Sequence, residues 1–169
     1  GTHVAGIAGA IGNNGKGSSG VCWGAKILPV YGSTDDEAKV IIAYDYVMEM
    51  RKLYNQTSGA KGAFIVATNS SFGVDRGNPV NFPIWCSLYD SLGKLGILSA
   101  VATAIQNWNF DVEHDMHTEC RCDFFIAVTS TSRNDNKNSA GYGAVSIDLG
   151  APGSSIYSSI PVDNYGVQS

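Results

Sequence analysis

The apolar positions of this chain fall into short runs that switch between two periods, with glycine-rich and polar stretches between them. Residues 3 to 11 are small and apolar and predict a tightly buried helix; Ile11 to Gly20, rich in Gly, Asn and Ser, predicts a loop. Ala25 to Tyr31 has the length and apolar content of a buried strand. Thr34 or Asp35 then offers a cap for a helix with Asp36 and Glu37 in its positive first turn. That helix carries Val40, Ile41, Tyr44, Val47 and Met48 on one stripe, a 3.6-residue repeat. A second stripe, Trp85, Leu88, Leu92 and Leu95, predicts a helix near Asn81 to Leu95. Ala63 to Thr68, Gly96 to Ala102, Phe124 to Ser130 and Val145 to Leu149 read as further short strands.

Strands alternating with helices in this way predict an α/β fold with a doubly wound, mainly parallel sheet. No internal repeat or low-complexity linker interrupts the chain, so residues 1–169 are expected to form one domain. Gln106 to Arg121 is the longest segment without a period.

Composition narrows the function classes. Of 169 residues, 44% are hydrophobic and 15% charged, which fits a globular protein rather than a disordered one. A formal charge of −4 with no basic cluster gives no basis for nucleic-acid binding. No apolar run approaches the length that spans a membrane. The cysteines are Cys22, Cys86, Cys120 and Cys122, whose pairing the spacing leaves open. Asn55-Gln56-Thr57 and Asn69-Ser70-Ser71 match the glycosylation acceptor pattern, which matters only in a secreted eukaryotic protein.

Three chemistry-bearing features compete with plainer readings. His114, His117, Cys120 and Cys122 are zinc-type ligands packed into one short segment, although the Cys-x-Cys step is tight for metal ligation. Asp111, Glu113, Asp115 and Glu119 make the same segment acidic, which predicts a solvated face; they lack the regular oxygen spacing of a calcium loop. His3, alone in an apolar helix, is expected to pack and hydrogen-bond to backbone, and nothing near Ser169 in sequence would activate it as a nucleophile.

The opening string Gly1-Thr2-His3-Val4-Ala5-Gly6-Ile7-Ala8-Gly9-Ala10 resembles the helix that follows the catalytic histidine of subtilisin-like serine proteases. The likeness continues in order through Gly20 to Val30, Asn69-Ser70-Ser71-Phe72-Gly73, Gly96 to Ala104, Asp148 to Gly153 and Tyr165 to Ser169. The resemblance implies a serine endopeptidase of subtilisin-like fold, incomplete at both ends. It places the catalytic histidine just before Gly1, the aspartate earlier and the nucleophilic serine just past Ser169. No catalytic residue is then expected within the chain, and His3 matches the pattern's second histidine, not the base. The isolated chain is expected to be inactive and poorly stable.

The same resemblance matches Ser71, Phe72 and Gly73 to a substrate-pairing edge, and Ala102, Thr103 and Ala104 to a wall of the pocket for the residue before the cut. By spacing alone the latter is an ordinary strand end. The position of the family's oxyanion-stabilising asparagine holds Ile105, which has no donor; Gln106 or Asn107 is expected to donate instead. The family likeness further implies an extended polypeptide substrate, a monomer, secretion, and no cofactor for the chemistry, with calcium in a structural role only. Relatives with cysteines near both places favour a Cys86–Cys120 bridge over zinc. A catalytically silent peptide-binding domain is the first alternative reading, and a zinc module around residues 114–122 the second.

Overall fold

The computed structural model describes residues 1–31, 36–120, 122–162 and 164–168. In chain order these form α1 (Thr2–Gly9), α2 (Glu37–Gln56), β1 (Ala67–Ser70), α3 (Pro83–Lys94), β2 (Leu98–Ala102), α4 (Met116–Glu119), β3 (Phe125–Thr131), β4 (Leu149–Pro152), β5 (Ile156–Ile160) and β6 (Asn164–Gln168). They divide into two compact units, residues 31–151 and residues 1–30 with 152–169. No helix among the described residues is long and apolar enough to cross a membrane.

The larger unit is built on a sheet in which β1, β2, β3 and β4 lie side by side in that order. β1 pairs with β2 in parallel, Ala67 opposite Leu98 and Ser70 opposite Val101; β2 pairs with β3 in parallel, Ser99 opposite Phe125 and Ala102 opposite Val128. The predicted α/β class with a mainly parallel sheet is the fold that forms. Both amphipathic helices bury the stripes their periodicity marks. Val40, Tyr44, Val47 and Met48 of α2 and Trp85, Leu88, Tyr89 and Leu92 of α3 join Ile97, Val101, Phe125 and Ala127 in one core. Each large apolar side chain buried there contributes roughly 1.5–3 kcal/mol by leaving water. Pro83 starts α3, where its missing N–H costs nothing.

Several boundaries differ from the sequence expectation, each for a backbone reason. Thr34 and Asp35 lie outside the described residues; the cap of α2 is Asp36, whose carboxylate accepts from the Ala38 N–H at 2.9 Å. Ala25 to Tyr31 forms no strand: it has no sheet partner among the described residues, and Ile27, Leu28, Val30 and Tyr31 are exposed. The strand expected from Ala63 begins at Ala67, because the stretch before it is held along α2. The Ala63 N–H donates to Met50 O at 3.0 Å, Arg51 donates to the Ile65 carbonyl, and the Arg51 guanidinium lies 4.3 Å from the Phe64 ring centroid. The strand expected from Val145 begins at Leu149. The Asp111 carboxylate takes the backbone N–H groups of Ala144, Val145 and Ser146, which are then unavailable to a neighbouring strand.

The long aperiodic segment hides a short buried helix. Asp115 caps α4 by accepting from the Thr118 N–H at 3.0 Å, and Met116, His117 and Thr118 are buried. A disulfide joins Cys86 of α3 to Cys120 just after α4, leaving Cys22 and Cys122 as free thiols. Beneath α4 the core is polar as well as apolar. His117 Nε2 lies 2.9 Å from Tyr89 Oη, which receives the Trp85 indole N–H at 3.0 Å. Tyr89 Oη lies 3.2 Å from Tyr44 Oη, which lies 2.5 Å from Ser70 Oγ.

In the smaller unit, β5 and β6 form an antiparallel hairpin, Ile156 opposite Gln168 and Ile160 opposite Asn164, that the sequence reading did not foresee. It packs on α1. His3 takes the structural part expected of it: its Nε2 lies 3.0 Å from Ile156 O, and the Ser158 hydroxyl donates to His3 O at 2.9 Å. Gly6 permits this approach, since a Cβ there would lie 2.4 Å from Ser158 Oγ.

Gly6→Ala is therefore expected to lower the unfolding free energy by about 1–3 kcal/mol in urea titrations, and Ser158→Gly to restore part of it. A second expectation concerns pH. Burial lowers the pKa of His117 from 6.5 to about 4. The unfolded chain then takes up a proton that the folded chain refuses, so stability is full above pH 6.5 and declines as pH falls toward 4. Unfolding free energy should be on the order of 2 kcal/mol lower at pH 5 than at pH 7, and His117→Phe should flatten that dependence.

Candidate functional site

The parallel register of β1 and β2 puts two chain segments side by side at the carboxyl end of the sheet, the end at which open α/β sheets take ligands. One is Ser71-Phe72-Gly73, directly after β1; the other is Ala102-Thr103-Ala104, the last residue of β2 and the two beyond it. These are the six positions that the sequence reading singled out for substrate contact, and they come from stretches some thirty residues apart.

The two segments differ in character. Ser71 and Gly73 are exposed, and Phe72 turns its ring inward, 6.0 Å from Trp85 and 5.9 Å from His117 between centroids. The backbone groups of Ser71, Phe72 and Gly73 make no backbone hydrogen bonds among the described residues. A row of free main-chain donors and acceptors of this kind is what an added peptide strand uses. Asn69 Nδ2 donates to Ser71 Oγ at 3.0 Å, which steadies the start of that row. The second segment is tied down: the Thr103 N–H donates to Val128 O at 3.2 Å, and Ala104 O accepts from the Gly141 N–H at 2.9 Å. Its side chains are small, so it forms a low wall.

The turn that follows carries Ile105, Gln106 and Asn107. Ile105 is 79% exposed and offers no hydrogen-bond donor. Gln106 buries its Oε1 without a hydrogen-bond partner among the described residues. Asn107 is oriented: its Oδ1 accepts from Lys137 Nζ, which also donates to Asn138 O at 3.1 Å and lies 4.6 Å from the Tyr142 ring centroid. With the amide oxygen engaged, the Nδ2 hydrogens are the ones Asn107 presents elsewhere.

The zinc-type residues are taken apart by the fold. Cys120 is in the disulfide, and His117 is enclosed by aromatic rings and bonded to Tyr89. His114 sits on the surface with Glu119 at 3.1 Å and Asn78 at 3.2 Å. No group of three or more His, Cys, Asp or Glu side chains among the described residues is placed to hold a metal ion. The acidic stretch is solvated in part, as its composition predicts, with Asp111 and Glu119 exposed and Glu113 half-buried. Asp111 clasps a backbone turn, Asp115 is buried, Glu113 pairs with Arg76 at 2.9 Å and Glu119 accepts from the Asp115 N–H at 2.9 Å. The backbone N–H of Ser146, chief among those it accepts, holds the Asp111 carboxyl below the usual range, whereas burial raises that of Asp115. The residue that sequence reasoning missed in its place is His117. Its sequence context suggests only a metal ligand, and nothing in the local pattern signals that it lies against Phe72 and Gly73.

Comparison with known proteins agrees with this architecture. The profile of the Subtilase family (peptidase S8) matches residues 1–168. Thermitase of Thermoactinomyces vulgaris is 34% identical over 173 residues, covering 98% of this chain and 53% of the relative. An extracellular basic protease of Dichelobacter nodosus is 30% identical over 168 residues, covering 98% of this chain and 26% of the relative. The fold is shared with a cold-adapted subtilisin-like serine proteinase (TM-score 0.67, 22% identity, 99% of this chain and 54% of that one). It is also shared with a psychrophilic protease, S41 (TM-score 0.68, 19% identity, 99% and 56%). The chain thus spans about half the length of most of the proteins it resembles. With the family profile running from Gly1 almost to the last residue and the parallel sheet to match, the chain belongs to the subtilase family.

Proposed function

We propose that this chain lines the substrate cleft of a secreted serine endopeptidase, with the catalytic triad supplied by residues outside it. The observation that carries the reading is the pairing of β1 with β2, which sets the free backbone of Ser71–Gly73 beside the small-residue wall of Ala102–Ala104. An extended polypeptide would add as a strand along Ser71–Gly73 and rest the side chain preceding the cut against Ala102, Thr103 and Ala104. Family membership and a relative named as a protease support the hydrolase reading, and the name of that Dichelobacter relative supports an extracellular location.

In this scheme a serine hydroxyl attacks the held carbonyl while a histidine takes its proton and returns it to the leaving amine. An aspartate keeps that histidine in the right tautomer. This chain's own contribution is to hold the peptide and to steady the oxyanion. Ile105 cannot do the latter; Asn107, its oxygen engaged by Lys137 and its Nδ2 free to donate, is the substitute donor we assign. No cofactor enters the chemistry, and the enzyme acts as a monomer.

A second reading rests on Ile105 itself. Without a working donor the protein would bind peptide and not cut it. The complete protein separates the two when assayed on casein. Asn107→Ala is expected to lower kcat by about a hundred- to a thousandfold with KM little changed, the size established for subtilisin's own oxyanion donor. Activity untouched by Asn107→Ala combined with Gln106→Ala would rule out the substitute donor, and a wild type that binds but never cleaves would favour the silent domain. The pure 169-residue chain is expected to show no hydrolysis; turnover by it would mean that the catalytic groups lie within.

A further inference from the structure

The ladder between β1 and β2 ends at Ser70 and Val101, and beyond it Arg76 joins the two chain segments again. Its Nη2 lies 2.9 Å from Glu113 Oε2, and its guanidinium carbon lies 4.2 Å from the centroid of the Trp108 ring. Among the described residues this is the only ion pair of a lysine or arginine that links distant parts of the chain. The backbone at Arg76 is strained as well. Its φ is 56°, in the left-handed region that residues with a Cβ seldom enter. Such a conformation persists where the surroundings over-determine it, and here a ring and a carboxylate both hold the side chain.

The two sides of this bridge differ in how firmly they are held. On the Trp108 side the backbone is laced down. Trp108 O accepts from the Tyr142 N–H at 2.8 Å, the Phe110 N–H donates to Tyr142 O at 2.8 Å, and the Glu113 N–H donates to Asn109 O at 2.8 Å. Asp111, between them, clasps the turn at Ala144 to Ser146. On the other side Ser71, Phe72 and Gly73 make no backbone hydrogen bonds among the described residues, and the next one along the chain is a local turn from the Gly77 N–H to Val74 O at 2.9 Å. Asn69 and the inward ring of Phe72 secure the near end of that free row. Arg76 secures the far end, with a second stitch beside it, where Asn78 Nδ2 lies 3.2 Å from His114 Nε2.

We propose that Arg76 is a positioning residue of the peptide-pairing edge: stacked on Trp108 and paired with Glu113, it fixes the free backbone of Ser71–Gly73 relative to Ala102–Ala104, so that one extended peptide can meet both. This rests on the cleft reading above. Arginine suits the task because its planar guanidinium can lie over a ring and still donate from its edge to a carboxylate, which the compact ammonium of lysine does less well. Arg76 is exposed, and at the surface each of its two contacts is modest. Their loss is therefore felt in the binding of a peptide that needs the edge, and not in survival of the fold.

The test uses the complete protein with Arg76→Gly, which removes both contacts and suits the left-handed backbone, and Arg76→Lys, which keeps the charge and loses the planar stack. For a peptide long enough to lie along both segments, Arg76→Gly should raise KM roughly three- to tenfold with kcat within about twofold, and Arg76→Lys should raise it less. A single-residue ester, too short to lie along Ser71–Gly73, should be unaffected. Unchanged KM for the long peptide, equal losses on peptide and ester, or a loss in kcat alone would overturn the proposal. If the wild type proves not to cleave, the same ratio is read from the Kd of the long peptide. A Kd that Arg76→Gly does not move overturns this proposal and leaves the cleft reading standing; a wild type that neither cleaves nor binds the peptide defeats both. Should Arg76→Gly fail to fold, Trp108→Leu and Glu113→Gln are read in its place: a rise in KM for the long peptide and not for the ester supports the assignment, and no rise in either variant overturns it.

Discussion

The parallel pairing of β1 with β2 is the constraint on which the larger unit turns. Side chains along a strand alternate between faces, so a shift of one residue would carry buried Ser70, Ser99 and Val101 to the wrong side of the sheet. It would also bring Ser71–Gly73 opposite a different stretch of β2. The core and the placement of these two segments are thus fixed by the same four residue pairs. The helices enforce the register: α3 lies against β2, and α2 lies against α3. The aromatic residues facing inward from them are bonded to one another and to Ser70.

What could be read from the sequence alone follows from what each element depends on. A helix carries its hydrogen bonds within itself, so the stripes at Val40 to Met48 and Trp85 to Leu92 marked α2 and α3 closely. A strand borrows its partners from elsewhere. Ala25 to Tyr31 has every intrinsic mark of one and remains irregular, while Ala63 and Val145 belong to segments that bond to α2 and to Asp111 before any strand begins. The hairpin of β5 and β6 escaped notice for the converse reason, since Ile156 to Ile160 holds two serines at its centre and shows only weak alternation.

The two segments proposed to line a cleft stand out only through likeness to a family. Ser71, Phe72 and Gly73 form no pattern that sets them apart, and Ala102 to Ala104 reads as an ordinary strand end; adjacency in the fold is what makes them a pair. Between Gln106 and Arg121, composition told only part. Four acidic residues suggested a surface facing water, which exposed Asp111 and Glu119 keep and buried Asp115 leaves, and four thiol and imidazole groups suggested a metal. In the fold Asp111, Asp115 and Glu119 also act as caps and clasps on backbone N–H groups, and the one fully buried imidazole belongs to the aromatic core. Local sequence carries no record of which distant N–H a carboxylate will meet.

The bridge between Cys86 and Cys120 spans 34 positions. Inside that covalent ring lie β2, Ala102 to Ala104 and most of the irregular stretch after them. A polypeptide is at risk of being nicked where its backbone is irregular and accessible, and the turn at Ile105 is such a place. A nick there does not release either piece. The severed ends stay tethered through sulfur, so the strand can remain seated in its sheet, and a cut at this turn would leave a gapped but undivided molecule.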